Sequence, residues 1–298
     1  GDWSPGQTAT ISVNDPDANR NPTSAETLNA YDEAVQVPTI VMGTGGLTLA
    51  GGSNAALEAG DTNANTGVQV GSGTGGNEYT LNVYNTTDHS ERLRITHSAE
   101  STTSAEITTT WLNVTTGHTR AELVALAGTV VLNYDIRGIA DLVSSTAIST
   151  YVSDAGLNST NNANGLITVN TSGNVKAGSY DLEVSSGGSL PNSDVSALKT
   201  FSSVGAAGTN LVAVGFKLTH AEGSELSSTA DYAVSADFCN FDQNNGSLIH
   251  NCIYRLEAVE TGDNTGVFEG TVEYLNLNNS SANGSISGAH DGGDQEVE

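Results

Sequence analysis

Asp15, Asp17, Asn19 and Asn21 occupy alternate positions in one short stretch, with Thr23 ninth and Glu26 twelfth counted from Asp15. Oxygen-bearing side chains at that spacing match the positions that hold a hard divalent cation in a calcium-binding loop, where six to eight oxygens are wanted. The sixth position is Arg20 rather than Gly, and the flanks read as strand, so an EF-hand is not expected. Two readings stand: a calcium site of millimolar affinity, typical of extracellular modules, or a turn rich in Asx and Pro whose side chains bond their own backbone. A second, weaker cluster is Glu58, Asp61, Asn63 and Asn65. Asp263 stands at the matching place in a later copy of the same motif. There too the alternative to a cation is a self-capping turn.

The only two cysteines, Cys239 and Cys252, bracket an Asn-rich interval that reads as a loop. With no further Cys and no paired His, a zinc site is poor. A disulfide is favoured over free or metal-bound thiols. It would stabilise by about 3 kcal/mol in the chain-entropy view and implies an oxidising compartment. Asn-x-Ser/Thr sequons stand at Asn85, Asn158, Asn170, Asn245, Asn278, Asn279 and Asn283, and at Asn113, the poorest candidate because it lies within a strand. Glycan occupancy requires export and an exposed loop.

Nothing points to catalysis. The histidines are dispersed, and neither His-Glu-x-x-His nor Gly-x-Ser-x-Gly occurs. Gly71-x-Gly73-x-x-Gly76 fits the dinucleotide fingerprint only formally, because no βαβ context surrounds it. The expectation is that the protein is not an enzyme.

The charge sets limits on partners. Asp plus Glu number 34 against 9 Lys plus Arg, a formal net charge of −25. Nucleic acid needs a basic face and is excluded as a partner. Small cations are the natural counter-ions. No apolar run of about 18 residues exists, so direct membrane insertion by a spanning helix is not expected. The chain starts at Gly1 without an initiator Met or signal peptide, and is read as a processed form or a segment of something longer.

The elements that position these residues read as short strands. Thr8–Val13, Val37–Met42, Glu78–Val83, Arg92–His97, Ala105–Thr115, Thr129–Tyr134, Ala147–Val152, Leu166–Val169, Tyr180–Val184, Leu211–Thr219, Ala230–Phe238, Ile253–Val259 and Val267–Leu277 carry β patterning. Many are rich in β-branched or aromatic residues. Thr119–Leu126 is the best helix, with Thr119 as cap and Glu122 three residues on. The turn Glu260-Thr261-Gly262-Asp263-Asn264-Thr265-Gly266-Val267 is echoed at Glu58–Val68 with two residues inserted, which suggests duplicated β modules. The fold class expected is all-β, as tandem immunoglobulin-like sandwiches. The divisions are residues 1–88 with the Asx-rich loop, a β-rich unit at 89–200, a sandwich with the disulfide at 201–277, and a polar linker or tail at 278–298.

The opening Trp3-Ser4-Pro5-Gly6-Gln7-Thr8-Ala9-Thr10-Ile11-Ser12-Val13-Asn14-Asp15-Pro16-Asp17-Ala18-Asn19 resembles the start of an immunoglobulin-like module in surface-layer proteins of ammonia-oxidising archaea. Glu260–Gly270 resembles the recurring turn of those modules, and Phe238–Gln243 resembles another of their segments. The resemblance implies a secreted, glycosylated, calcium-dependent two-dimensional lattice of copies of the chain at the cell surface. It also implies acidic channels that concentrate ammonium. The alternative is an extracellular adhesin or fibre subunit whose edge strands pair end to end.

Overall fold

The computed structural model describes residues 7–32, 34–48, 68–71, 78–86, 90–98, 109–127, 129–153, 166–170, 173–181, 211–220, 231–244, 247–274 and 296–297. Antiparallel strands dominate them, and helix is scarce. In chain order the elements begin β1 (Gln7–Asn14), β2 (Thr27–Leu28), β3 (Thr39–Met42), β4 (Leu47–Thr48), β5 (Val68–Gly71), β6 (Glu78–Thr86), β7 (Arg92–Ser98) and β8 (Thr109–Thr119). Then come α1 (Arg120–Val124), β9 (Thr129–Asp135), α2 (Arg137–Leu142), β10 (Ser145–Ser153), β11 (Leu166–Asn170), β12 (Ala177–Asp181) and β13 (Leu211–His220). The last are β14 (Asp231–Asn244), β15 (Ser247–Arg255), β16 (Ala258–Glu260), β17 (Val267–Tyr274) and β18 (Glu296–Val297).

Among the described residues these strands form two sheets. One runs β1-β17-β16-β2, with β18 beside β17. The other runs β11-β10-β13-β8-β5-β6-β7-β14-β15-β3, with β9, β12 and β4 joined to it off that path. The long strand β14 is its spine. Asp231–Val234 pair with β7, Ser235–Phe241 with β9, Asp237 and Phe238 with β4, and Asn240–Asn244 with β15. These pairings, and that of β1 with β17, cross the expected divisions at residues 88 and 200. Order along the chain is therefore not order in the sheets.

Alternation accounts for the interior. Val212, Val214, Phe216, Leu218 and His220 of β13 are buried, as are Ile148, Thr150 and Val152 of β10, because side chains two apart share a face. Tyr134 meets Phe216 with ring centroids 5.0 Å apart. Its hydroxyl donates to Val175 O at 3.2 Å, so the buried phenol is satisfied. In the smaller sheet Leu28, Ala258 and Phe268 pack together, with Ala18 and Val35 against them.

Helix α1 forms where the sequence signals it. Thr119 Oγ1 accepts from Glu122 N at 3.3 Å, and Glu122 accepts from Thr119 N at 2.6 Å, a reciprocal capping box. Helix α2 was not expected. Its cap position is Ile136, which offers no side-chain oxygen. Asp135 Oδ1 accepts from Arg137 N at 3.0 Å instead, one residue earlier than a cap search looks, and Ile139 and Ala140 are buried.

Two further readings are corrected. The interval 240–251 is not a loop. Asn240–Asn244 pair with Ser247–Asn251 as a hairpin, and only Asn245 and Gly246 separate the paired residues. Asn-Gly between strands is a strong hairpin signal. The run Ile253–Val259 is not one strand. β15 ends at Arg255 and β16 begins at Ala258 in the other sheet. Leu256 N donates to Pro38 O at 2.8 Å at this changeover. Gly270 makes the crossing possible, since a Cβ there would lie 2.2 Å from Glu257 O.

Buried guanidinium groups join the sheets to the loops. Arg255 is 2% exposed and pairs with Asp237, whose Oδ1 accepts from Nη2 at 3.1 Å and whose Oδ2 accepts from Nη1. Arg255 also donates to Ser90 O and Glu91 O, each at 2.7 Å. Ser90 and Glu91 have φ of 65° and 51°, a left-handed pair that costs about 1–2 kcal/mol per residue for an L side chain. Charge-assisted bonds of about 1.5–3 kcal/mol each offset that cost. Arg92 donates to Ala30 O and Asp32 O at 2.7 Å and to Val35 O at 2.5 Å, gathering the loop after β2 around one cation. Arg137 is held by Asp135 and Glu257 beneath the Tyr31 ring, 4.8 Å from its centroid. Burial works to lower its pKa, but the two carboxylates outweigh it and raise it above the ordinary value.

Asp237→Ala strands a buried cation and is expected to lower stability by about 3–5 kcal/mol in urea unfolding. The apolar double variant Asp237→Leu with Arg255→Met should lose much less. A single-variant loss under about 1 kcal/mol would show that Arg255 finds other partners when the carboxylate goes.

Candidate functional site

The Asx-rich loop sits at the end of the smaller sheet, where β1 and β17 stop pairing. Asn14 faces Val267, and Asp15 N donates to Gly266 O at 2.8 Å. Pro16–Ala18 form a single 3-10 turn, because Pro16 fixes φ at its first position and Asp15 caps it. Two distant stretches, 15–26 and 260–266, thereby become one surface. Gly266 is the contact point. Its φ is +62°, and a Cβ there would lie 2.9 Å from Pro16 Cα.

Each candidate donor has a definite place. Asp15 Oδ1 accepts from Asp17 N at 3.1 Å. The Asp17 side chain is exposed. Asn21 Oδ1 accepts from Thr23 N at 3.2 Å and Thr23 Oγ1 at 2.7 Å, and its amide donates to Ser24 Oγ at 2.7 Å. Glu26 receives Arg20 N on both oxygens, at 2.9 and 2.7 Å. Arg20 sends its guanidinium to Ala34 O. Asn19 donates to Asn264 Oδ1 at 2.9 Å, while its own Oδ1 is buried without a hydrogen-bond partner. Asp263 is exposed in the facing turn. Glu58, Asp61, Asn63 and Asn65 lie outside the described residues.

The donor set is all oxygen, which suits a hard cation, and Asn19 Oδ1 is an orphaned acceptor. Against this, no three His, Cys, Asp or Glu side chains gather among the described residues. Asp15, Asn21 and Glu26 are bonded to local backbone donors, as the self-capping reading has it. Asp17, which is exposed, and Asn19 Oδ1, which is buried without a partner, are the oxygens that those bonds leave uncommitted.

The residue that organises this surface is Glu260, to which sequence reasoning assigned no role. It is 4% exposed. Its Oε1 accepts from Thr265 N and Gly266 N, each at 2.7 Å, and from Thr265 Oγ1 at 3.1 Å. Its Oε2 accepts from Glu26 N at 3.3 Å. A Glu two residues before the Gly of a Gly-Asp-Asn-Thr-Gly turn, with free amides five and six residues on, was the available signal. Burial pushes its pKa up, yet the amides of Gly266, Thr265 and Glu26 and the Thr265 hydroxyl hold it below the ordinary 4.5.

Cys239 and Cys252 form a disulfide, with Cα atoms 4.6 Å apart and both residues buried. Asn240 opposite Asn251 places the two cysteines directly across the hairpin. The spacing is that of a non-hydrogen-bonded antiparallel pair. Of the sequons, Asn85 lies on β6 opposite Leu93, Asn170 on β11 opposite Thr150, and Asn113 within β8 opposite Gly215. Asn158, Asn245, Asn278, Asn279 and Asn283 lie outside the described residues. No helix among the described residues is long and apolar enough to cross a membrane.

No protein-family model matches the chain, and no curated protein matches it.

A folded pKa below the unfolded one means stability that is present above about pH 4.5 and is lost as pH falls through the folded value. Glu260→Gln removes that dependence. The stability gap between native protein and variant is expected to be constant near neutrality and to shrink as pH drops below about 4. A gap unchanged down to about pH 3 would show that the amides do not hold a charged carboxylate.

Proposed function

We propose that this chain is part of a structural cell-surface protein, a set of immunoglobulin-like sandwiches in a secreted, glycosylated surface lattice made of copies of itself, and not an enzyme. The observation that carries the reading is the disposition of charge. Of the few cationic side chains, Arg92 and Arg255 are buried and Arg137 is largely so, each bound to carbonyls or carboxylates of the fold. The buried carboxylates Asp135, Asp237 and Glu260 balance these cations, so the large carboxylate excess of the composition is left outside the buried pairs. An acidic surface attracts small cations, ammonium among them, and repels anions. The reach is about 8 Å at physiological ionic strength, so the effect is concentrated in narrow openings between copies.

Other features agree with this reading. The buried disulfide suits an oxidising exterior. Calcium, in this proposal, is bound by Asp17 and Asn19 at the junction of the Asp15 loop with the 260–266 turn and locks the two stretches together. One observation favours the fibre reading as well: among the described residues β1 and β3 end their sheet paths, and a sheet edge can accept a further strand.

Two experiments test the proposal. Negative-stain images in calcium are expected to show flat sheets that disperse with chelator. Filaments would transfer the reading to a fibre subunit, and dispersed particles under every condition would remove the lattice. In a melting series, calcium is expected to raise the midpoint of the native chain and to act less on Asp17→Ala, because an ion that binds only the folded form stabilises it by mass action. Identical responses would mean that calcium does not act through this loop.

A further inference from the structure

The hairpin carries an arrangement that the proposed function does not use. Phe241 pairs with His250 across it, and alternation puts Cys239, Phe241, His250, Cys252 and Tyr254 on one face. His250 and Tyr254 lie on either side of Cys252 along β15. Their side chains meet over that position, with Nε2 2.7 Å from the Tyr254 hydroxyl and ring centroids 5.7 Å apart at 82°. Phe241 closes the other flank, 4.9 Å from the imidazole. Beneath, Cys239, Cys252, Tyr254 and Val131 form an apolar cluster with Ile40 and Met42 packed against it. The cysteines are 1% and 2% exposed, whereas His250 is only half-buried. The imidazole is thus more exposed than the Tyr254 phenol it meets.

We propose that His250 and Tyr254 form a strap across the Cys239–Cys252 disulfide, which bars it from external reductants while the imidazole is neutral and opens when the imidazole takes up a proton. A neutral ring can share a proton with the phenol and stay between its aromatic neighbours. The described partners of the ring, Tyr254 and Phe241, supply no counter-charge to a protonated imidazole. β14 presents Phe241 to the ring. β15 presents the Tyr254 phenol, and the Gly43–Gly46 turn beside it presents neutral backbone. Burial alone shifts the imidazole, downward from the ordinary 6.5. The protonated ring therefore moves toward water and gives up the contact over Cys252. This inference stands apart from the lattice reading and does not need it.

The test is reduction by a water-soluble phosphine. Phosphorus attacks one sulfur and supplies two electrons to break the S–S bond. The two sulfurs leave as thiols after taking up protons, and water oxygen converts the phosphine to its oxide. Rates are compared for native protein, Tyr254→Phe, which keeps the ring and loses the bond, and His250→Gln, which does not titrate. Comparison at each pH cancels the phosphine's own titration. Near pH 7.5 the native disulfide is expected to react about fivefold more slowly than that of Tyr254→Phe, the effect of one hydrogen bond. Below about pH 6 the two rates should converge, while His250→Gln shows no such pH-dependent change relative to Tyr254→Phe. Equal rates for native and Tyr254→Phe at every pH would overturn the strap. A gap that persists in acid would overturn its control by His250. Rates that follow only global stability in urea would overturn both, since reduction would then pass through the unfolded chain.

Discussion

The ion pair between Arg255 and Asp237 lies where the main chain of one sheet gives way to the other, and the remaining architecture depends on it. Asp237 belongs to the spine strand β14, at the point where β14 exchanges β15 for β4 as its neighbour. Arg255 is the last residue of β15 before the chain leaves for β16. A charge buried this deeply requires a partner, because desolvation alone costs several kcal/mol. It also requires acceptors for its remaining protons, and the Ser90 and Glu91 carbonyls supply them. Those carbonyls point inward only because both residues adopt left-handed backbone, so the charge and the strained corner stabilise each other. Arg92 follows at once and performs the same task for the loop after β2. Segments some hundred and sixty residues apart are thus joined by polar bonds with demanding geometry, not by apolar packing alone.

Such a design makes the cations specific rather than general. Lysine would not replace Arg92, whose planar fork addresses several carbonyls at once. At the other junction the roles are reversed. Glu260 is a carboxylate among amide donors, and it shapes the turn that receives Pro16. Arg92 and Glu260 are alike in this: each is one ionised side chain surrounded by backbone groups of the opposite polarity.

This explains what could be read from the sequence. β patterning located β1, β7, β9, β10 and β13 closely, and in β10 and β13 the burial of alternate residues is what imprints it. The capping box at Thr119 and Glu122 was equally legible. The hairpin at Asn240–Asn251 was obscured by its own polarity. Asn251 donates to Asn240 at 2.9 Å, and Asn240 donates to Ala127 O at 2.8 Å, so residues that read as loop are satisfied within a strand pair. The break at Leu256 and Glu257 was invisible because both sides are strand and only the sheet changes. Glu260 was missed because its partners lie in a turn and in residue 26, and no local pattern encodes the latter. At the Asp15 loop the spacing was equally compatible with an ion and with self-capping. Asp15, Asn21 and Glu26 adopt the latter, and Asp17 and Asn19 do not resolve the ambiguity by spacing alone.

The register of β1 against β17 has a mechanical consequence. Gln7 lies opposite Tyr274 and Asn14 opposite Val267, so the first residue of β1 and the last of β17 lie together at one end of the pair, where β18 also joins β17. Tension carried along the backbone into Gln7 and out of Tyr274 would load the ladder one rung at a time, as a zipper is peeled, rather than all rungs together in shear. The first yielding step would therefore occur at low force. The hairpin behind it responds differently, because the covalent bridge between Cys239 and Cys252 withholds the residues between them from extension. The protein would give way softly at one seam and then stop short, with part of its contour length locked.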